Sequence, residues 1–189
     1  LRFTKENIGW AIWDNIKQGL PDNYNGKIYD AMPYRFLRNG DKYIVFFKFD
    51  DEAAEKFGLP VFTAEYDGEM LTLKWHGKKN LRLPNAFWFK PEGHGEDWLV
   101  HKMGLWIDPQ DIIGSPLITA TDYGIKNDKA EIESLDTVLA APFGRRLLDF
   151  EPHPEKQDMY FNLYNNIWNT NFPMWYSDDA VFRFKIKEL

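Results

Sequence analysis

Asn165, Trp168, Asn169, Asn171 and Trp175 fall between residues 163 and 175, with Asn166 among them. Amides beside indole faces suit two kinds of chemistry. In one, the amides meet sugar hydroxyls while Trp168 or Trp175 stacks on the apolar face of a pyranose, in a concave site with a few convergent polar groups. In the other, the segment knots a corner of a β-fold. Asn tolerates turn conformations and bonds nearby backbone, Trp168 and Phe172 fill the core, and Pro173 ends the loop. Asn is costly to bury unpaired, so either role must satisfy these amides. A corner needing this much Asn weighs toward structure, and the sugar platform stays open beside it.

The other reactive side chains are more scattered. His76, His94, His101 and His153 never stand two to four residues apart, so no His-based zinc motif is visible. There is no Gly-x-Ser-x-Gly elbow and no phosphate loop. The acidic pairs Asp50-Asp51 and Asp178-Asp179 read as solvated turns or caps, because strand neighbours point to opposite faces and cannot form a facing dyad. No catalytic residue, metal ligand or cofactor is assigned to this chain. Asp128, Glu131, Glu133 and Asp136 alternate with apolar residues, as an exposed strand edge requires.

A formal net charge of −6, with Lys and Arg dispersed, argues against a nucleic-acid partner. No Cys is present, which removes disulfides and thiolate metal sites and leaves the compartment undetermined. No apolar run approaches the ~20 residues of a membrane-spanning helix. The chain opens Leu-Arg-Phe-Thr, without an initiator Met or a signal-peptide pattern, and reads as part of a longer polypeptide.

The elements that must hold these residues are mostly short strands. Residues 42–49 read as a strand apolar on both faces. Val61–Tyr66 and 70–75 read as a hairpin around Asp67-Gly68, with Leu71, Leu73 and Trp75 inward. Asn85–Phe89, 98–103, 118–121, 130–135 and 159–164 are further strands. In 181–187, Phe182, Phe184 and Ile186 share one face. Asp51–Phe57 reads as a short helix, capped by Asp50 or Asp51, ended by Gly58 and stopped by Pro60. Ile8, Ile12 and Ile16 at helical spacing predict a second helix over 7–17. With 189 residues and 17% aromatics, one domain spanning residues 1–189, of packed antiparallel sheets, follows.

Several pieces in order carry a resemblance: Phe57-Gly58-Leu59-Pro60; Leu81-Arg82-Leu83-Pro84-Asn85-Ala86-Phe87-Trp88-Phe89; Trp98 with Lys102-Met103-Gly104 and Ile107-Asp108-Pro109; Leu135-Asp136 before Ala140-Ala141-Pro142; and 163–175 followed by Phe182-Arg183-Phe184. Together they resemble the C-terminal β-domain of bacterial proteins akin to glycoside hydrolase family 38, the α-mannosidase-like enzymes, over residues 57–189. The resemblance implies a two-sheet antiparallel supersandwich of the galactose mutarotase-like kind. It also implies a catalytic (β/α) barrel N-terminal to it in the same polypeptide, where His and Asp would bind zinc and an Asp would be the nucleophile. No stretch here matches that barrel. Relatives tend to have Gly where Asn169 stands, and a His-containing polar stretch near residues 114–121, where this chain has Gly-Ser-Pro-Leu-Ile-Thr-Ala-Thr.

Three functions follow as expectations. The first is a non-catalytic accessory domain that packs on the barrel and lends residues to its glycan pocket; it predicts a large apolar surface patch. The second is a free-standing carbohydrate-binding module, with Asn165, Trp168, Asn169, Asn171 and Trp175 as contacts. The third is a mutarotase- or epimerase-like sugar enzyme, drawing on His94, His101 and Glu151. It requires a pocket that brings a His within hydrogen-bond reach of a carboxylate.

Overall fold

The computed structural model describes residues 1–13, 27–92, 97–112, 119–142, 158–166 and 175–189, and the backbone alone of 16–17 and 20–21. In chain order the strands are β1 (Ile8–Ile12), β2 (Ile16–Lys17), β3 (Leu20–Pro21), β4 (Lys27–Asp30), β5 (Met32–Asn39) and β6 (Lys42–Lys48). After the helix α1 (Asp51–Phe57) come β7 (Val61–Tyr66), β8 (Met70–His76), β9 (Asn85–Phe89), β10 (Leu99–Lys102) and β11 (Leu105–Ile107). A 3-10 turn, Pro109–Asp111, is followed by β12 (Thr119–Ala120), β13 (Gly124–Lys126), β14 (Ala130–Ser134), β15 (Leu139–Ala141), β16 (Tyr160–Asn165) and β17 (Ala180–Glu188).

Fifteen of the strands build two antiparallel sheets that face one another, and β2 and β3 pair only with each other. One has six strands in the order β12-β15-β16-β9-β1-β4, and the other nine in the order β11-β10-β13-β14-β17-β8-β7-β6-β5. The chain steps from one sheet edge to the other between β4 and β5. The hinge is the buried Ala31, whose N–H donates to the Ile8 carbonyl at 2.8 Å. Alternating side chains explain the layers, because each strand turns every second residue inward. Trp10, Phe87, Phe89 and Phe161 from the six-stranded sheet meet Phe62, Leu71, Leu73, Trp75 and Phe184 from the nine-stranded one. Phe184 sits 5.0 Å from Phe89 and 4.8 Å from Phe161, ring centre to ring centre, and Trp75 lies 5.2 Å from Phe87. Such pairs each add roughly 0.5–1.5 kcal/mol beyond the area they bury.

The hairpin β7–β8, the inward set Leu71, Leu73 and Trp75, and the face Phe182, Phe184 and Ile186 are all as the alternation predicts. So is α1. Asp50 accepts from the N–H groups of Glu52 and Ala53, and Gly58 ends the helix in the left-handed conformation. Three expectations need correction. Residues 8–12 are not helical: Ile8, Trp10 and Ile12 also satisfy a period of two, and β1 lies between β9 and β4 with both faces buried. Asn7 holds the start of that strand. Its amide nitrogen donates to the carbonyls of Arg2 and Lys90, and its side-chain oxygen accepts from the Thr4 N–H. Strand β6 is not apolar-covered on both sides. Val45 and Phe47 enter the core, while Ile44 and Phe46 on the other face are only partly covered. Lastly, β14 is an interior strand, paired with β13 and β17. Its acids answer outward-facing partners: Glu131 accepts from the Tyr123 hydroxyl at 2.9 Å, and nearby Asp136 forms a two-point ion pair with Arg183.

Candidate functional site

The described asparagines of the C-terminal segment, Asn165 and Asn166, sit where β16 leaves its partner β9. The register of that pair slips between Asn162 and Tyr164, so Leu163 is an extra residue in a bulge. Asn162 closes the bulge: its amide nitrogen reaches the carbonyls of Phe87 at 3.3 Å and Tyr164 at 3.2 Å. Asn165 donates to the Asn162 side-chain oxygen at 2.7 Å. Asn166 is buried, and its oxygen accepts from the Asn85 N–H at 2.6 Å. Its amide nitrogen donates to the carbonyls of Leu81 at 3.3 Å and Leu83 at 3.1 Å, clipping the loop before β9 to the end of β16. Asn85 completes the knot by accepting from the indole N–H of Trp10 at 3.1 Å. The Asn166 amide and the Asn165 amide nitrogen are therefore engaged by the protein itself.

A cationic and aromatic cluster adjoins the knot. The Arg82 guanidinium lies over the Trp175 ring at 4.5 Å, and Trp175 is 37% exposed. Lys78 is 4% exposed. Its ammonium stands 4.8 Å from the centre of the Tyr164 ring and donates to the carbonyls of Lys79 and Tyr176. No carboxylate among the described residues pairs with it, and burial pushes it down to about 8. The Tyr164 hydroxyl, buried and without a hydrogen-bond partner among the described residues, is pushed up to about 12 by the same desolvation. Lys78 thus gathers the immediate neighbours of Asn165 and Trp175 into one place. Trp168, Asn169 and Asn171 lie outside the described residues.

Two histidines meet carboxylates. His76 is held from both sides, by Asp179 at 3.4 Å and by the Thr63 hydroxyl at 3.2 Å. His101 Nδ1 lies 2.6 Å from Asp122, whose other oxygen accepts from the Met103 N–H at 2.7 Å. The hydrogen bond from His101 holds the Asp122 carboxyl below the usual range. Trp106 and Tyr123 present their rings edge-on to the imidazole, at 4.8 Å and 5.5 Å. The pair stands at the seam between the sheets, where Lys102 bonds Thr119 and Ala120. A cavity of about 190 Å³ lies elsewhere, between β4 and α1, and is lined by Lys27, Tyr29, Asp50, Glu52, Lys56 and Phe57. His94, His153 and Glu151 lie outside the described residues.

Sequence reasoning had no means of finding Lys78, Tyr164 or Asp122, because their partners are distant in the chain and no local pattern joins them. Among the described residues no three His, Asp or Glu side chains gather to hold a metal ion, and no helix is long and apolar enough to cross a membrane. Comparison with known proteins found no matching family model and no matching curated sequence.

Proposed function

We propose that this chain is a non-catalytic accessory β-domain of a glycoside hydrolase of the family 38-like kind, docked on an N-terminal catalytic barrel of the same polypeptide. The observation that carries the reading is the β5–β6 hairpin. Phe36 is 62% exposed, Tyr43 47% and Leu37 40%, although all three stand on a regular sheet. A sheet margin with this many open apolar side chains is what a domain built to pack on a neighbour presents. The two-sheet sandwich and the ordered pieces from Phe57 to Phe184 support the same reading. Zinc chemistry, in this reading, belongs to the barrel, and the glycan is the barrel's substrate.

The experiment is to read the encoding frame upstream of Leu1. A barrel carrying His and Asp zinc ligands is the expected result, and a complete short frame would overturn the reading. Trp175, part-exposed beneath the Arg82 guanidinium, favours one alternative, a carbohydrate-binding module. Calorimetric titration of the chain with mannosides separates the two: heat that disappears in Trp175→Ala would favour the module, and no heat with any glycan would remove it.

A further inference from the structure

We infer that the free edge of β5 takes up an acidic, extended segment of a partner as a tenth strand of the large sheet. This names the partner chemistry for the docking surface on which the accessory-domain reading rests, and it can fail separately from that reading.

Strand β5 closes the nine-stranded sheet, and among the described residues its outer side has no backbone partner. Every second residue of an edge strand turns an N–H and a C=O away from its neighbour, so β5 presents a ready template for a further strand. Its first part is blunted by Pro33 and by a bulge at Tyr34, which leaves residues 35–39 as the open stretch. The side chains flanking that stretch are apolar on both faces of the sheet. Phe36 is paired with Val45 and so stands on the inward face, and Tyr43 shares that face. Leu37 is paired with Ile44, on the outward face, where Phe46 also lies. A membrane would meet one face only. An added strand lies between the two sets and meets both.

Charge selects the occupant. Residues 32–48 carry Arg35, Arg38, Lys42 and Lys48 against Asp41, a net of +3 within a chain of net −6. Lys48 is paired with Asp51. The Arg35 and Arg38 guanidiniums lie over the rings of Phe46 and Tyr43, at 5.5 Å and 5.4 Å, and neither has a carboxylate partner among the described residues. A second copy pairing through its own β5 would bring the same arginines together, which like-charge opposition disfavours. Arg35 and Leu37 stand on one face and Phe36 and Arg38 on the other, so a strand with Asp or Glu beside each arginine and two apolar residues between them matches the cations and both apolar faces.

The test is a displayed library of random eight-residue peptides, panned on the 189-residue chain and on an Arg35→Glu/Arg38→Glu variant whose fold is checked by circular dichroism. Enrichment of peptides with two apolar residues set between two acids is expected. The best of them, made synthetically, should bind at least tenfold more weakly to the variant. It should also slow amide hydrogen exchange at residues 35–39 and nowhere else on the sheet. Enrichment of basic or uncharged peptides, no enrichment, or binding indifferent to the two arginines would overturn the inference. So would a β5-dependent dimer in sedimentation, or binding to phosphatidylserine vesicles in place of peptides. A peptide result of either kind leaves the upstream reading frame to decide the accessory-domain reading on its own.

Discussion

Two buried lysines in this domain meet opposite fates, and the contrast shows what each neighbourhood does. Burial alone would depress the Lys90 ammonium, but the hydrogen bonds it donates to Asp158, Glu92 and Glu6 together outweigh burial and hold the group above its ordinary range. Lys78 has carbonyls and a ring face in place of carboxylates, so burial prevails and its proton is lost from about 8. Below that pH Lys78 is charged in the folded and unfolded chain alike, and the fold carries the full cost of burying it. From about 8 up to the ordinary 10.5 the unfolded chain binds a proton that the fold has released, so stability rises with pH. Tyr164 and Tyr123, both pushed up to about 12 by burial first, ionise earlier in the unfolded chain, so stability falls again from about 10.0. Urea unfolding at successive pH values should show the rise between pH 8 and 10. Lys78→Met should abolish that rise and be the more stable protein at pH 7, by on the order of 1–2 kcal/mol. A parallel pair of curves would refute this. The asparagines make a second comparison at the same scale. Asn166→Ala strands the Asn85 N–H and the Leu81 and Leu83 carbonyls, and should cost about 2–3 kcal/mol. Asn165→Ala removes a single donor at a half-covered position and should cost about 1 kcal/mol in the same assay.

At the scale of elements, strand pairing tolerates little where the backbone itself is close. A Cβ placed on Gly124 would lie 1.9 Å from the Ile132 carbonyl oxygen and 3.1 Å from the Glu133 Cα, both on the partner strand β14. Backbone cannot swing aside as a side chain can, so Gly124→Ala should part β13 from β14 at that rung. A loss of more than about 2 kcal/mol is expected, together with faster amide exchange in Ala130–Ser134. A thermal midpoint within a degree of the parent would disprove it. Elements were legible from the sequence where one face is wet and the other dry. Met70–His76 and Ala180–Glu188 alternate legibly because their outward residues, Met70 and Val181 apart, are polar, and α1 carries both of its caps in plain view. Strand β1 was misread because both its faces are buried. Ile8 and Ile12 then fit a helix as well as a strand, and only the pairing with β9 and β4 decides between them. Strand β5 gave no inward alternation to read, since its apolar residues stand open on both faces. Composition singled out Asn165 and Asn166, but the turn bonded to nearby backbone that it suggested is not what they make: Asn165 ends β16, and Asn166 bonds Leu81, Leu83 and Asn85. Those partners were not legible, because nothing in the chain announces a contact some eighty residues away.

For the molecule as a whole, the centre and the margin of the large sheet's apolar set do different work, and this can be measured. Phe184 is fully buried between Phe89 and Phe161, so Phe184→Ala should remove about 3–5 kcal/mol of stability. Phe36 and Leu37 stand on the same sheet but open to solvent, and they contribute little that folding needs. The double variant Phe36→Ser/Leu37→Ser should therefore lose less than about 1 kcal/mol, because exposed positions away from caps and cavities seldom cost more. It should also lower the fluorescence of a hydrophobic dye bound to the folded chain, since Phe36 and Leu37 are both open to solvent on one short hairpin. If the double variant unfolded as readily as Phe184→Ala, the hairpin would be part of the core and not a docking surface. If stability held and dye binding fell, the sheet would divide by purpose: its centre, β8 and β17 against β9 and β16, holds the fold, while its β5 margin is kept for a partner.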